Sequence, residues 1–313
     1  MFKPRRYSLL IGLAIALTLI ISACGGDTGN AGSTPTSLPS TLATPGNYTC
    51  ISGTLTVSGS TALQPLVTAV ATDYSARCKG SSITVNGGGS STGRSNVEAG
   101  SVGIGNSDTP AGSAQSDLVD HQVAVVIFGV IVNSDTGITN LTTAQIKGIY
   151  AGTTKNWKEV GGKDMPIVVV SRPATSGTRA TFAQYVLGAN EKIAGPSALT
   201  SDSTGTVVKE VGTTNGAIGY AATGQVPAGG TASVISIDGN QATAANVANN
   251  TYKFWNIEHM YTKGKAAPLA QALIDYMAST DGLKEQDKLQ FVDTSKMQAD
   301  AITAHNAVPK PTA

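Results

Sequence analysis

The run VAVVIFGVIVN, Val123 to Asn133, is apolar at almost every position. A strand with apolar side chains on both faces has to be covered on both faces. MPIVVVSR, Met165 to Arg172, repeats the pattern. Two such buried strands commit the chain to a layered design, with sheet inside and helices outside. The rest of the sequence supplies the other parts of that design.

GTLTVSG, Gly53 to Gly59, alternates as a strand does, and Leu63, Leu66, Val67, Val70, Ala71 and Tyr74 follow at helical spacing. Pro65 falls in the first turn, where a missing N–H matters least. SITVNGGG reads as a second strand, with a short helix near Asn96, and VGIGNSD as a third. TTAQIKGIYAG opens with a capping box, Thr142 with Gln145. A helix is expected from Thr178 to Leu187, with Phe182, Tyr185 and Val186 on one face. TVVKEVGTTNGAIGYAA predicts a helix and then a strand. YKFWNIEHMYTKG predicts an aromatic-rich strand, and APLAQALIDYMAS an amphipathic helix. Strands alternating with helices imply an α/β protein with mostly parallel sheets. At 313 residues the chain is long enough for two domains, and two lobes are expected.

The N-terminus carries Lys3, Arg5 and Arg6, followed by an apolar stretch from Leu9 to Ile21. Those are the proportions of a signal peptide. It ends in ISAC, which resembles a bacterial lipobox with Cys24 as the lipidated residue. The alternative is an ordinary cleaved signal with an incidental cysteine. Gly25 to Asn47 is rich in Gly, Ser, Thr and Pro and cannot bury enough to fold. Residues 1–23 are thus expected to be a lipoprotein signal peptide and 24–50 a tether. The protein would then sit on the outer face of the cytoplasmic membrane. Cys50 and Cys78 remain, and in an exported chain an even pair suggests a disulfide. A metal pair is the alternative, without a nearby histidine to support it.

Formal net charge is +1, so there is no global field to draw in nucleic acid or a membrane surface. An anion would have to be held locally. Four loops, each just after a strand, offer hydroxyls beside glycines: SGSTAL with Ser60 and Thr61, NGGGSSTG with Ser90 and Ser91, GNSDTP with Asp108, and SRPATSGT with Arg172, Ser176, Gly177 and Thr178. Helix N-termini carry unpaired N–H groups and partial positive charge. Glycine admits close approach, hydroxyls add rotatable donors, and arginine adds a fixed planar fork. Any one such loop is ordinary turn and cap chemistry. Four at strand ends exceed what turns need.

Asp108 is the odd member, because a carboxylate repels an anion. It becomes useful when the ligand carries a proton for it to accept. Phosphate has one at neutral pH and sulfate does not. Sulfate would set acceptor against acceptor in a dry site.

SGSTALQPL, GGGSSTG, GNSD and SRPATSGTRATFAQYVLG, in this order, resemble the phosphate-binding proteins of the PstS type, the extracellular receptors of phosphate ABC importers. FWNIEHMYTKGK adds to the likeness, which covers Gly53 to the C-terminus. The resemblance implies a two-lobed type II periplasmic-binding-protein fold with helices on both faces of its sheets. The ligand cleft lies between the lobes. Lobe 1 would comprise residues 51–129 and 226–313 and lobe 2 residues 130–225, with crossings near Phe128–Val132 and Ile218–Thr223. It implies a phosphate site of Thr61, the Ala62 N–H, Ser90, Asp108, Arg172, Ser176, Gly177 and Thr178, with Ser60, Ser91 and Ser107 as further loop residues. Some relatives place an acidic residue two positions after the arginine; here that residue is Ala174. The implied partners are inorganic phosphate and an ABC permease, with a monomer, no nucleic acid and no cofactor or metal.

Two other readings stand beside this one. A binding protein for sulfate or molybdate would suit a neutral residue in place of Asp108. A secreted phosphatase-like enzyme would need a base, yet His121, His259 and His305 all lie outside the four loops. The expectation is a binding protein and no enzyme.

Overall fold

The structure is a computed structural model and describes residues 48–192, 199–201 and 203–312. The expected signal peptide, Cys24 and most of the tether lie outside the described residues. Among the described residues no helix is long and apolar enough to cross a membrane.

The strands are β1 (Gly53–Gly59), β2 (Ser81–Gly88), β3 (Ile104–Ser107), β4 (Leu118–Asn133), β5 (Asn140–Leu141), β6 (Val168–Ser171), β7 (Leu199–Thr200), β8 (Ala217–Ala222), β9 (Ala232–Val234), β10 (Ser236–Ile237) and β11 (Trp255–Lys263). The helices are α1 (Gln64–Arg77), α2 (Ser90–Glu98), α3 (Thr143–Tyr150), α4 (Gly177–Phe182), α5 (Thr204–Thr213), α6 (Ala244–Ala248), α7 (Pro268–Met277), α8 (Thr280–Lys288) and α9 (Ala299–Asn306). Helix α4 runs on into a π-helical turn, Ala183–Leu187.

Among the described residues, nine strands form one sheet in the order β2-β1-β3-β11-β4-β8-β6-β7, with β9 also on β4. β1 is parallel to β2 and β3, and β6 to β7 and β8. β11 is antiparallel to β3 and β4, and β4 to β8 and β9. The expectation of mostly parallel sheets is therefore corrected: this is an α/β fold with a mixed sheet flanked by helices. The reason is non-local. β11 comes late in the chain, inserts between β3 and β4, and runs against both.

β4 changes partner along its length. It pairs with β11 through Ile127 and with β8 from Phe128. Its first part is half-buried, and from Ala124 to Asn133 it is buried throughout, as the apolar run requires. α1 turns Leu66, Val67, Val70, Ala71 and Tyr74 inward, the set its spacing marks. Burial of Leu66, Val67 and Val70 is worth about 1.5–3 kcal/mol each. α3 forms both bonds of its capping box. Trp157 and Trp255 are fully buried.

Cys50 and Cys78 form a disulfide, with Cα atoms 5.0 Å apart. Cys50 precedes β1 and Cys78 caps α1, so both sit at one end of this βα unit. Both sulfurs are used, which removes the metal alternative. The Tyr74 hydroxyl reinforces the staple by donating to the Thr49 carbonyl and accepting from the Ile51 N–H, both at 2.9 Å.

Candidate anion-binding site

The loop between β1 and α1 is organised by Ser60. Its Oγ accepts from the Ala62 and Leu63 N–H groups at 3.1 and 3.0 Å. A hydroxyl that accepts twice still has its own proton to donate, and Ser60 stands beside the Asp108 carboxylate. Thr61 Oγ1 accepts from Arg172 Nη2 at 3.0 Å and from the Thr204 N–H at 3.2 Å.

The second loop turns at Gly89, whose φ of 90° is strained for any residue with a side chain. A Cβ there would also come within 2.8 Å of the Thr175 carbonyl oxygen. The Ser91 N–H donates to that same oxygen at 3.1 Å, so the second and fourth loops touch through their backbones. Ser90 Oγ accepts from the Asp108 N–H at 2.9 Å.

In the fourth loop Ser176 caps α4 by accepting from the Arg179 N–H at 3.2 Å. Thr178 Oγ1 donates to Asp108 Oδ2 at 2.9 Å. Arg172 is 1% exposed, and its Nη1 donates to Thr204 Oγ1 at 3.3 Å. Arg179 holds the Arg172 carbonyl at 2.7 Å and pairs with Glu191 at 3.0 Å, which fixes the strand end that carries the arginine.

The structure thus brings Ser60, Thr61, Ser90, Asp108, Arg172, Gly177 and Thr178 together, with Ser176 capping the helix beside them. The Ala62 N–H is at this loop but donates to Ser60. Ser91 and Ser107 turn to Arg94, and the Ser107 hydroxyl donates to the Thr109 carbonyl at 2.6 Å.

Burial pushes the Asp108 carboxyl above the usual carboxylate range. The Ser60 and Thr178 hydroxyls, the Arg172 charge and Ser90 oppose that shift. A buried carboxylate with an arginine and several hydroxyls around it can hold a small oxyanion only if one proton lies between carboxylate and ligand.

Three residues at the site lie outside the expected set. Thr204 bonds both Thr61 and Arg172, and its segment STG repeats the STG of the second loop, a signal the sequence did carry. Gln225 Nε2 donates to the Thr61 and Ala62 carbonyls at 3.0 and 3.2 Å. Glu258 lies alongside Asp108 inside β11.

Gly177 marks how closely α4 meets the other loops. A Cβ there would strike the Ser90 hydroxyl and come within 2.8 Å of Asp108 Cβ. Overpacking of this kind costs about 1–3 kcal/mol. Gly177→Ala is therefore expected to weaken ligand binding about tenfold to a hundredfold while leaving the circular dichroism spectrum intact. Unchanged affinity would mean that α4 does not need this approach.

The PBP superfamily domain matches residues 44–281. The phosphate-binding protein PstS of Bacillus subtilis (strain 168) is 43% identical over 277 residues, covering 87% of this chain and 89% of that protein. The chain belongs to the PstS family of the PBP superfamily. A crystal structure with bound phosphate from Clostridium perfringens aligns with a TM-score of 0.72 at 30% identity, over 77% of this chain and all of that one. An ABC-type phosphate transport receptor from Vibrio cholerae aligns at 0.62 and 27%, over 76% and 99%.

In this PstS-family chain the histidines are engaged elsewhere. His121 meets Thr262, His259 meets Asp120, and His305 stacks between Tyr185 and Trp255. Among the described residues no group of side chains is arranged to hold a metal ion.

Proposed function

We propose that this PstS-family protein captures inorganic phosphate outside the cell and delivers it to an ABC importer, acting as a binding protein and not as an enzyme. The observation that carries the reading is Asp108, a buried carboxylate set among Arg172, Ser60, Ser90 and Thr178. Arg172 and the hydroxyls supply the donors an oxyanion needs, and Asp108 supplies the acceptor that only a protonated oxyanion satisfies. The ligand set is Thr61, Ala62, Ser90, Asp108, Arg172, Ser176, Gly177 and Thr178, with Ser60 orienting Asp108 and releasing the Ala62 N–H it now accepts from to the ligand.

The two-lobed arrangement belongs to the same reading. Residues 51–129 and 226–313 form one lobe and 130–225 the other. The partner change of β4 at Ile127 and Phe128, and the end of β8 at Ala222, support crossings at those points. Contacts between Ser90 and Gly177, Thr178 and Asp108, and Arg172 and Thr61 would then be contacts across the cleft. Lobe closure around phosphate removes water and strengthens every charged hydrogen bond inside. Lipidation of Cys24 and the tether of 24–50 would hold the monomer near its permease, on the outer face of the membrane.

Calorimetric titration of the ligand-stripped, full-length protein tests the reading. Phosphate is expected to bind tightly and sulfate to give no heat. A folded sample that gives no phosphate heat overturns it.

A further inference from the structure

β11 and β3 run antiparallel, with His259 opposite Ser107 and Met260 opposite Asn106. Carried one residue past the end of β3, that register brings Asp108 to Glu258. Directly opposed residues of an antiparallel pair point to the same face with Cβ atoms about 5 Å apart. The two carboxyl groups are therefore neighbours inside the protein, and each feels the other. Glu258 is fully buried. Neither of its oxygens, nor Asp108 Oδ1, takes a well-formed hydrogen bond from a described N–H or O–H group.

Two ionised carboxylates in such a place would repel without screening. A shared proton removes the conflict and fills the missing bond at once. The surroundings decide where it resides. Asp108 has the Thr178 hydroxyl on Oδ2, with Ser60, Ser90 and the Arg172 charge close by. Arg94, held by Ser107 and Thr109, also feels the Asp108 charge. Among the described residues Glu258 has no comparable donors, and burial together with the Asp108 charge drives it toward the neutral acid. Its strand neighbour His259 is paired with Asp120 instead.

We propose that Glu258 is a protonated carboxylic acid that donates to Asp108 Oδ1 and is a positioning residue for the phosphate site. The bond would lock the plane of the Asp108 carboxylate and lower its basicity. Asp108 then accepts the ligand's proton without removing it, and presents Oδ2 beside Thr178. This role rests on the phosphate reading, whereas the protonation state of Glu258 does not.

The test uses full-length wild type, Glu258→Gln and Glu258→Met. Infrared difference spectra between wild type and E258Q at neutral pH are expected to show the loss of one protonated-carboxyl C=O stretch. Titration is expected to show near wild-type phosphate affinity for E258Q, because the amide N–H replaces the acid O–H. E258M has no donor there and is expected to lose about tenfold to a hundredfold in phosphate-over-sulfate preference. A purely structural role for Glu258 would not give rescue by glutamine together with loss of selectivity by methionine. Absence of the carboxyl band overturns the protonated pair, whatever the titrations give. Equal selectivity in all three proteins overturns the positioning role. A band that E258Q loses, in a protein whose wild type binds no phosphate, leaves the pair standing and overturns the phosphate reading instead.

Discussion

Arg172→Met is expected to weaken phosphate binding by about two to four powers of ten. Methionine keeps most of the length and the buried volume and removes the charge. Breaking a buried, hydrogen-bonded charge partnership costs about 3–5 kcal/mol, and each 1.4 kcal/mol is tenfold in affinity. The loss should appear in binding more than in folding. Thr61 and Thr204, which both take bonds from the guanidinium, lie 3.1 Å apart and remain bonded to each other. Asp108 would lose the cation that helps hold it ionised, so the acceptor side of the site weakens with the donor side. Arg172→Lys separates charge from shape: it keeps the cation but not the fork, and an intermediate loss is expected. Calorimetry on variants with wild-type circular dichroism checks both. A loss below tenfold in a folded Arg172→Met protein would place the arginine outside the ligand's reach.

Local patterns made much of this architecture legible. β1 spans the alternating segment GTLTVSG, and α3 begins at the Thr142–Gln145 box because that box satisfies backbone N–H groups directly. Thr61, Ser90, Asp108 and Thr178, one from each of the four loops, converge because each loop follows a strand end. β4 is marked in the sequence only along its apolar part. Its first residues, LVDHQ, are half-exposed and break the apolar run, although they pair with β11 as the rest does. The π-helical turn after Phe182 has the same side-chain pattern as a regular helix end and leaves no separate mark. Glu258 was hidden for a different reason. A carboxylate inside FWNIEHMY is conspicuous, but its partner is set by the register of β11 against β3, and those strands are far apart in the chain. Pairing of that kind comes from tertiary packing and not from spacing. The insertion of β11 between β3 and β4 escaped for the same reason, and with it the mixed character of the sheet.

The same geometry predicts how the site tells two similar ions apart. Asp108→Asn is expected to reduce the preference for phosphate over sulfate by about two or more powers of ten. In the wild type a fully deprotonated tetrahedral ion meets Asp108 acceptor to acceptor, and a buried polar group left unsatisfied costs about 1–3 kcal/mol, more when charged. Asparagine removes that conflict and offers an N–H in its place, so sulfate gains. Phosphate loses a charged acceptor for its own proton, a bond worth about 1.5–3 kcal/mol. The two changes act in opposite directions on the two ions, so they add in the ratio. The surroundings favour one orientation of the new amide. Glu258, as a protonated donor, would donate to the oxygen of that amide and leave its NH2 group facing Thr178 and the ligand. Parallel titrations of both ions against wild type and Asp108→Asn give the ratio directly. A variant that binds phosphate more weakly and still excludes sulfate as strictly as wild type would show that discrimination resides in the size of the cleft and not in the proton Asp108 accepts.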